Sequence, residues 1–155
     1  MLKCLSKLKS LAMMLGTTIP EPEELDGSIP FGGFGQQISR LVLSSFGCAT
    51  TTVMSLILSL PNLQELSFCG VKTEGEVSAP LEGSQSKTLR FLNLHDTTTN
   101  IATALAGYRF ASRQISMGAL AESLSMVQLL VPSSQILVYL ELDGTYSVVG
   151  FSAGE

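Results

Sequence analysis

Apolar residues along this chain recur at uneven but repeated intervals. In LPNLQELSFCGV, residues 60–71, they fall at Leu63, Leu66, Phe68 and Val71, positions 1, 4, 6 and 9 of a nine-residue window. Neither a helical period nor strict alternation gives that spacing. The window occurs again with Ile38, Leu41, Leu43 and Phe46, with Leu89, Leu92, Leu94 and Thr97, and with Leu137, Leu140, Leu142 and Thr145. The starts at 38, 63, 89 and 137 are 25, 26 and 48 residues apart. The last gap is nearly double, which predicts a further copy near 112–114, where Ile115, Met117 and Leu120 fit and Ser112 replaces the first apolar residue. Leu8, Leu11 and Met13 form a weaker copy upstream.

The spacing has a physical reading. Positions 4 and 6 are two apart, so on a strand they point to one face. Position 1 turns inward ahead of the strand, and position 9 plugs the inner layer behind it. The intervening segments read as return helices. Val53, Leu56, Ile57 and Leu60 fall at helical spacing in 50–60. Ile101, Leu105 and Tyr108 do so in 98–108, with Thr99 or Asn100 as the expected cap. In 118–134 the expected face is Leu120, Leu124, Val127 and Leu130 or Val131, with Pro132 ending the helix. Residues 72–88 and 19–35 are rich in Gly, Pro and polar side chains and read as irregular connectors.

A period near 25 with LxxLxL in each unit resembles the leucine-rich repeat. The resemblance implies an α/β solenoid of about five strand-helix repeats with a parallel sheet, each unit burying its apolar face only by stacking on the next. The family's Asn at position 9 is absent; Phe46, Val71, Thr97, Leu120 and Thr145 stand there. The division expected is an N-terminal segment, 1–37, with a degenerate repeat and an acidic Pro/Gly-rich connector, and a repeat domain, 38–155.

SLPNLQELSFCGVK and KTLRFLNLHD further resemble the repeat regions of F-box-like proteins, particularly fungal ones. That resemblance implies recognition of a protein to be ubiquitinated, with the F-box itself holding an adaptor of a cullin-based ligase. No F-box is visible in the segment before Ile38, part of which already reads as a repeat strand, so an adaptor contact is in doubt. The ends show no obvious polar caps, and a fragment or a truncated gene product is one expectation.

Positions 3, 5 and 7 of each window face away from the core leucines. They are Arg40, Val42 and Ser44; Glu65, Ser67 and Cys69; Phe91, Asn93 and His95; Gln114, Ser116 and Gly118; Tyr139, Glu141 and Asp143. Strands about 4.8 Å apart would make them one concave face. The residues expected to contact a protein partner are Arg40, Glu65, Ser67, Phe91, Asn93, His95, Tyr139 and Glu141, with Phe91 and Tyr139 as aromatic anchors.

Composition narrows the alternatives. The chain has 155 residues, 45% hydrophobic and 14% charged, enough apolar content for a real core. Its net charge of -4 argues against nucleic acid, which needs a concentrated basic surface. Cys4, Cys48 and Cys69 are widely separated and lack a CxxC, which favours ordinary thiols and a reducing intracellular setting, cytoplasmic or nuclear. Residues 1–15 are basic, but Lys7 and Lys9 interrupt the apolar run a signal peptide would need. Residues 41–64 carry no charge, yet their serines, threonines and Pro61 suit a buried strand and helix better than a membrane span.

Enzyme signatures are weak. His95, the single histidine, precedes Asp96, but neighbours on a strand point to opposite faces. One histidine excludes a multi-histidine metal site. FGGFGQ, residues 31–36, lacks both GxGxxG and GxxxxGK and reads as a turn. No serine sits in GxSxG. Glu21, Glu23, Glu24 and Asp26 alternate with prolines as a solvated loop rather than a calcium cage. The sequence therefore favours a protein-binding module without a cofactor; an orphan repeat piece with no retained partner is the alternative, and an enzyme comes last.

Overall fold

The computed structural model describes residues 8–14, 32–45, 47–75, 87–97, 99–118 and 123–143. The expectations for Phe46, Leu120, Thr145, and most of the two connectors lie outside these residues. Strands β1 (Ser10–Met14), β2 (Arg40–Ser44), β4 (Glu65–Cys69), β6 (Thr88–His95), β7 (Ala111–Met117) and β8 (Tyr139–Leu142) form one six-stranded sheet. They lie side by side in chain order, and every pairing is parallel. A second, two-stranded parallel sheet joins β3 (Gly47–Ala49) to β5 (Lys72–Glu74). Helices α1 (Thr50–Leu58), α2 (Thr99–Gly107) and α3 (Ser123–Ser133) follow β3, β6 and β7. The architecture is mixed α/β with a parallel sheet. No helix among the described residues is long and apolar enough to cross a membrane; the described part of the uncharged run 41–64 holds most of β2, then β3 and α1, rather than one strand and one helix.

The register carries each window's leucines into shared rows. One row reads Leu11, Leu41, Leu66, Leu92, Ile115, Leu140, and the next Met13, Leu43, Phe68, Leu94, Met117, Leu142. From β2 to β7 these side chains are buried, as are Ile38 and Leu63 ahead of β2 and β4 and Leu89 inside β6. Against them pack Val53, Met54, Leu56 and Ile57 of α1, Ile101, Ala102, Ala104 and Leu105 of α2, and Leu129 of α3. Each fully buried apolar side chain contributes about 1.5–3 kcal/mol. The residue directly after β2, β4 and β6 takes the same left-handed corner, with φ of 50° at Ser45, 65° at Gly70 and 48° at Asp96. There Ser45 N–H donates to the Cys69 carbonyl and Gly70 N–H to the His95 carbonyl, so the corner keeps the ladder intact while the chain leaves the sheet.

Several elements differ from expectation. In α3 Leu129 is buried, while Val127 and Val131 are 46% and 64% exposed. Leu124, Met126, Val127, Leu129, Leu130 and Val131 leave this helix apolar almost all round, so periodicity does not fix its rotation. Pro132 lies inside the last turn rather than beyond it. Thr99 and Asn100 lie within α2; the Asn100 amide reaches the Thr73 carbonyl at 3.4 Å instead of capping its own helix. Residues 32–37 of the glycine-rich stretch form a 3-10 turn. Within the connector expected at 72–88, Lys72–Glu74 is a strand.

Two polar connections stitch the layers. Ser112, the polar substitute at position 1, is fully buried; its N–H donates to Ser133 Oγ at 2.9 Å and its hydroxyl to the Gln114 carbonyl at 2.9 Å. Lys87 Nζ donates to the Ile57 and Leu60 carbonyls at 2.9 and 2.6 Å, placing a cation at the carbonyl end of α1. Burial there lowers the Lys87 pKa.

Candidate functional site

The solvent side of the six-stranded sheet is built by the same alternation that buries the leucines. Pairing places Ser10, Arg40, Glu65, Phe91, Gln114 and Tyr139 in one row. The next row holds Ala12, Val42, Ser67, Asn93, Ser116 and Glu141. Cys69 and His95 pair in a third. All eight residues expected to face a partner thus lie on one side of one sheet. Phe91 is half-buried and Tyr139 is 50% exposed. They are not neighbours: exposed Gln114 stands between them, so the two rings are two strands, about 9.6 Å, apart.

Much of this face is internally hydrogen-bonded. Asn93 Nδ2 donates to Ser67 Oγ at 3.2 Å, directly across the β4–β6 ladder. Asn93 Oδ1 is shielded from solvent and has no hydrogen-bond partner. Leaving such an atom unpaired costs about 1–3 kcal/mol. Toward the far edge, His95 Nε2 and Ser116 Oγ are 3.1 Å apart, a diagonal contact between adjacent strands. Ser116 Oγ donates to Glu141 Oε2 at 3.0 Å. With its one proton directed to Glu141, the hydroxyl accepts from the Nε2–H tautomer of His95. At the other edge Arg40 Nε and Glu65 Oε2 are 3.7 Å apart and well exposed, a pair worth little in water.

The chemistry of the His95 cluster is that of a bridge. A nucleophilic triad runs hydroxyl–imidazole–carboxylate, with the imidazole taking the hydroxyl proton. Here the hydroxyl stands in the middle, on a serine that is 5% exposed. Asp96, the sequence neighbour of His95, is the left-handed corner residue after the strand, while the histidine ring pairs with Ser116. Gly118 makes room for that ring: a Cβ there would lie 2.8 Å from His95 Nδ1. Among the described residues no group of three or more His, Cys, Asp or Glu side chains is placed to hold a metal ion.

Pattern reading put Ser116 and Glu141 on this face but did not join them to His95. The contact depends on the β6–β7 register, which brings Asn93 opposite Ser116 and His95 diagonal to it. On the helix side, an open groove of about 690 Å³ lies between α2 and α3, lined by Thr103, Ala106, Arg109, Gln128, Val131 and Pro132. Comparison with protein-family models, with curated proteins and with solved structures found no match.

Proposed function

We propose that the chain is a leucine-rich-repeat solenoid that binds a protein partner on the outer face of its parallel strands. The carrying observation is the row of outward side chains held in register from Arg40 to Tyr139, with Ser67, Asn93, His95 and Glu141 beside it. Such a face offers backbone-rigid positions for hydrogen bonding, with Phe91 and Tyr139 as separated apolar anchors. The partner class favoured by the F-box-like motifs is an intracellular protein destined for ubiquitination, with this chain as its substrate-recognition piece. The reading involves no cofactor and no catalytic step.

A second reading, an orphan repeat piece that recruits nothing, is favoured by one observation. Ser67 with Asn93, and His95 with Ser116 and Glu141, spend their polar groups on one another. Affinity purification of the tagged chain from cells that express it separates the two. The binding reading expects a reproducible co-purifying protein that is lost when Phe91→Ala and Tyr139→Ala are combined. Nothing enriched, or a protein indifferent to both changes, favours the orphan reading.

A further inference from the structure

Leu89 and Leu92 are both buried, so the two residues between them, Arg90 and Phe91, both turn out of the core. The next strand repeats the arrangement: Ser112 and Ile115 are buried, while Arg113 and Gln114 are exposed. Pairing of Leu89 with Ser112 and of Phe91 with Gln114 sets Arg90 directly opposite Arg113. Two exposed guanidinium side chains thus stand at one level on adjacent strands, about 4.8 Å apart at the backbone. Like charges so placed repel each other. Neither forms an ion pair among the described residues; Glu65, which lies opposite Phe91, directs Oε2 to Arg40 at 3.7 Å.

Charge is sorted along the strands. Lys9, Arg40, Arg90 and Arg113 lie toward strand N-terminal ends, and Asp96, Glu141 and Asp143 toward the C-terminal ends of β6 and β8. Opposite Arg113 on β8 stands Val138, whose N–H donates to the Arg113 carbonyl at 2.8 Å. Glu141 is three residues further along that strand, about 10 Å away. The positive end of the face is therefore focused on one arginine pair, with Phe91 next to Arg90 in the chain and Gln114 next to Arg113. A pair bordered by acids, in a chain of net charge -4, suits a single acidic side chain and not the continuous phosphate backbone of a nucleic acid.

We propose that the partner segment bound on the strand face is acidic, with one carboxylate seated between Arg90 and Arg113 and an adjoining apolar side chain packed on Phe91. The inference rests on the strand-face reading and adds the chemistry of its ligand. The carboxylate accepts N–H bonds from both guanidinium forks, and its charge relieves the repulsion between them. Tyr139, two strands from Phe91, gives the same segment a second apolar contact. Asp96, Glu141 and Asp143 repel acids from the other end of the face, which fixes where the acidic residue settles.

Selection of a displayed library of random peptides on the full chain tests it. Enriched peptides should carry Asp or Glu beside an apolar residue. Resynthesised with Asn or Gln at those acids, they should bind at least tenfold more weakly. The unaltered peptides should lose as much on Arg90→Gln with Arg113→Gln, whose fold circular dichroism checks. Arg90→Lys with Arg113→Lys keeps the charge without the fork and should recover part of the affinity. Arg90→Glu with Arg113→Glu should select basic peptides instead, and Lys72→Gln, on the small sheet, should change nothing. Peptides lost on Phe91→Ala with Tyr139→Ala but indifferent to both arginines overturn the inference and leave the strand-face reading standing. Selection without acidic preference, or no selection at all, also overturns it, and the strand-face reading is then judged by its own co-purified protein. Acidic selection that emerges only after Glu21, Glu23 and Glu24 are changed to Gln and Asp26 to Asn overturns it as well, because the chain's own acidic segment then holds the arginine pair.

Discussion

Phe91 and Leu92 are adjacent on β6, yet they belong to two different surfaces. Leu92 is 1% exposed in a row that runs through Leu66 and Ile115, whereas Phe91 stands half-buried on the outer side between Glu65 and Gln114. The inner face is chemically uniform and holds the molecule together by removing apolar area from water. The outer face is varied, with aromatic, amide, imidazole and carboxylate groups one strand apart. One alternation thus separates the residues that stabilise the fold from those that face outward from the sheet.

Truncation should expose that division most sharply. Leu92→Ala is expected to cost about 2–5 kcal/mol, a cavity-forming loss comparable to much of the stability of a small domain. Phe91→Ala should cost about 1 kcal/mol or less, since the ring keeps solvent contact. Leu140→Ala, in the inner row but 37% exposed, should resemble Phe91→Ala rather than Leu92→Ala. Urea midpoints for the three variants check this order, and equal losses at Leu92 and Phe91 would erase the distinction between the faces.

Ser112 is a buried polar position on the inner face, and it should behave like core. Ser133→Ala removes the acceptor of the buried Ser112 N–H, at an expected cost of about 1–3 kcal/mol in the same urea measurement. On the outer face Gly118→Ala should push the His95 ring off its rotamer at a cost of about 1 kcal/mol and separate it from Ser116. Because His95 is the single histidine, its imidazole resonances report the change without ambiguity. Unaltered resonances would mean that the bridge does not depend on Gly118.

The pH dependence of stability separates two partly buried groups by sign. Burial pushes the Cys48 thiol from 9.0 to about 12. Between those values the folded chain holds a proton that the unfolded chain has lost. This contribution to stability is therefore complete below pH 9.0 and declines toward about 12. Lys87 has the opposite sign: its pKa is lowered from 10.5, so just below 10.5 the unfolded chain holds the extra proton and stability rises with pH. Cys48→Ala should leave only the rise and Lys87→Met only the fall, read from urea midpoints across the alkaline range. Identical pH slopes in both variants would contradict these assignments.

The inner face was legible in the sequence because its cause is local. Leu41 and Leu43, Leu66 and Phe68, and Leu92 and Leu94 declare their common side through a spacing of two, and a period near 25 places them in register. Even Ser112 announced itself as a break in the pattern. Its partner did not, because Ser133 lies on a helix whose rotation an almost uniformly apolar surface leaves undetermined. Lys87 falls in a stretch that reads as polar connector, and its contact with the end of α1 spans 30 residues to Ile57. The outer residues could be assigned to a face but not to one another: the bridge from His95 through Ser116 to Glu141 crosses two strand pairings, and a register slip of one residue would abolish it.

The most direct test of the strand face as a binding surface is the affinity of the co-purified protein for three purified chains. These are the native chain, the outer-face variant Phe91→Ala with Tyr139→Ala, and the helix-side variant Val127→Ala with Val131→Ala. The account predicts at least a tenfold loss for the outer-face pair, about 1.4 kcal/mol or more, and native affinity for the helix-side pair. Loss confined to the helix-side pair would contradict it and move the binding surface to the opposite layer of the molecule.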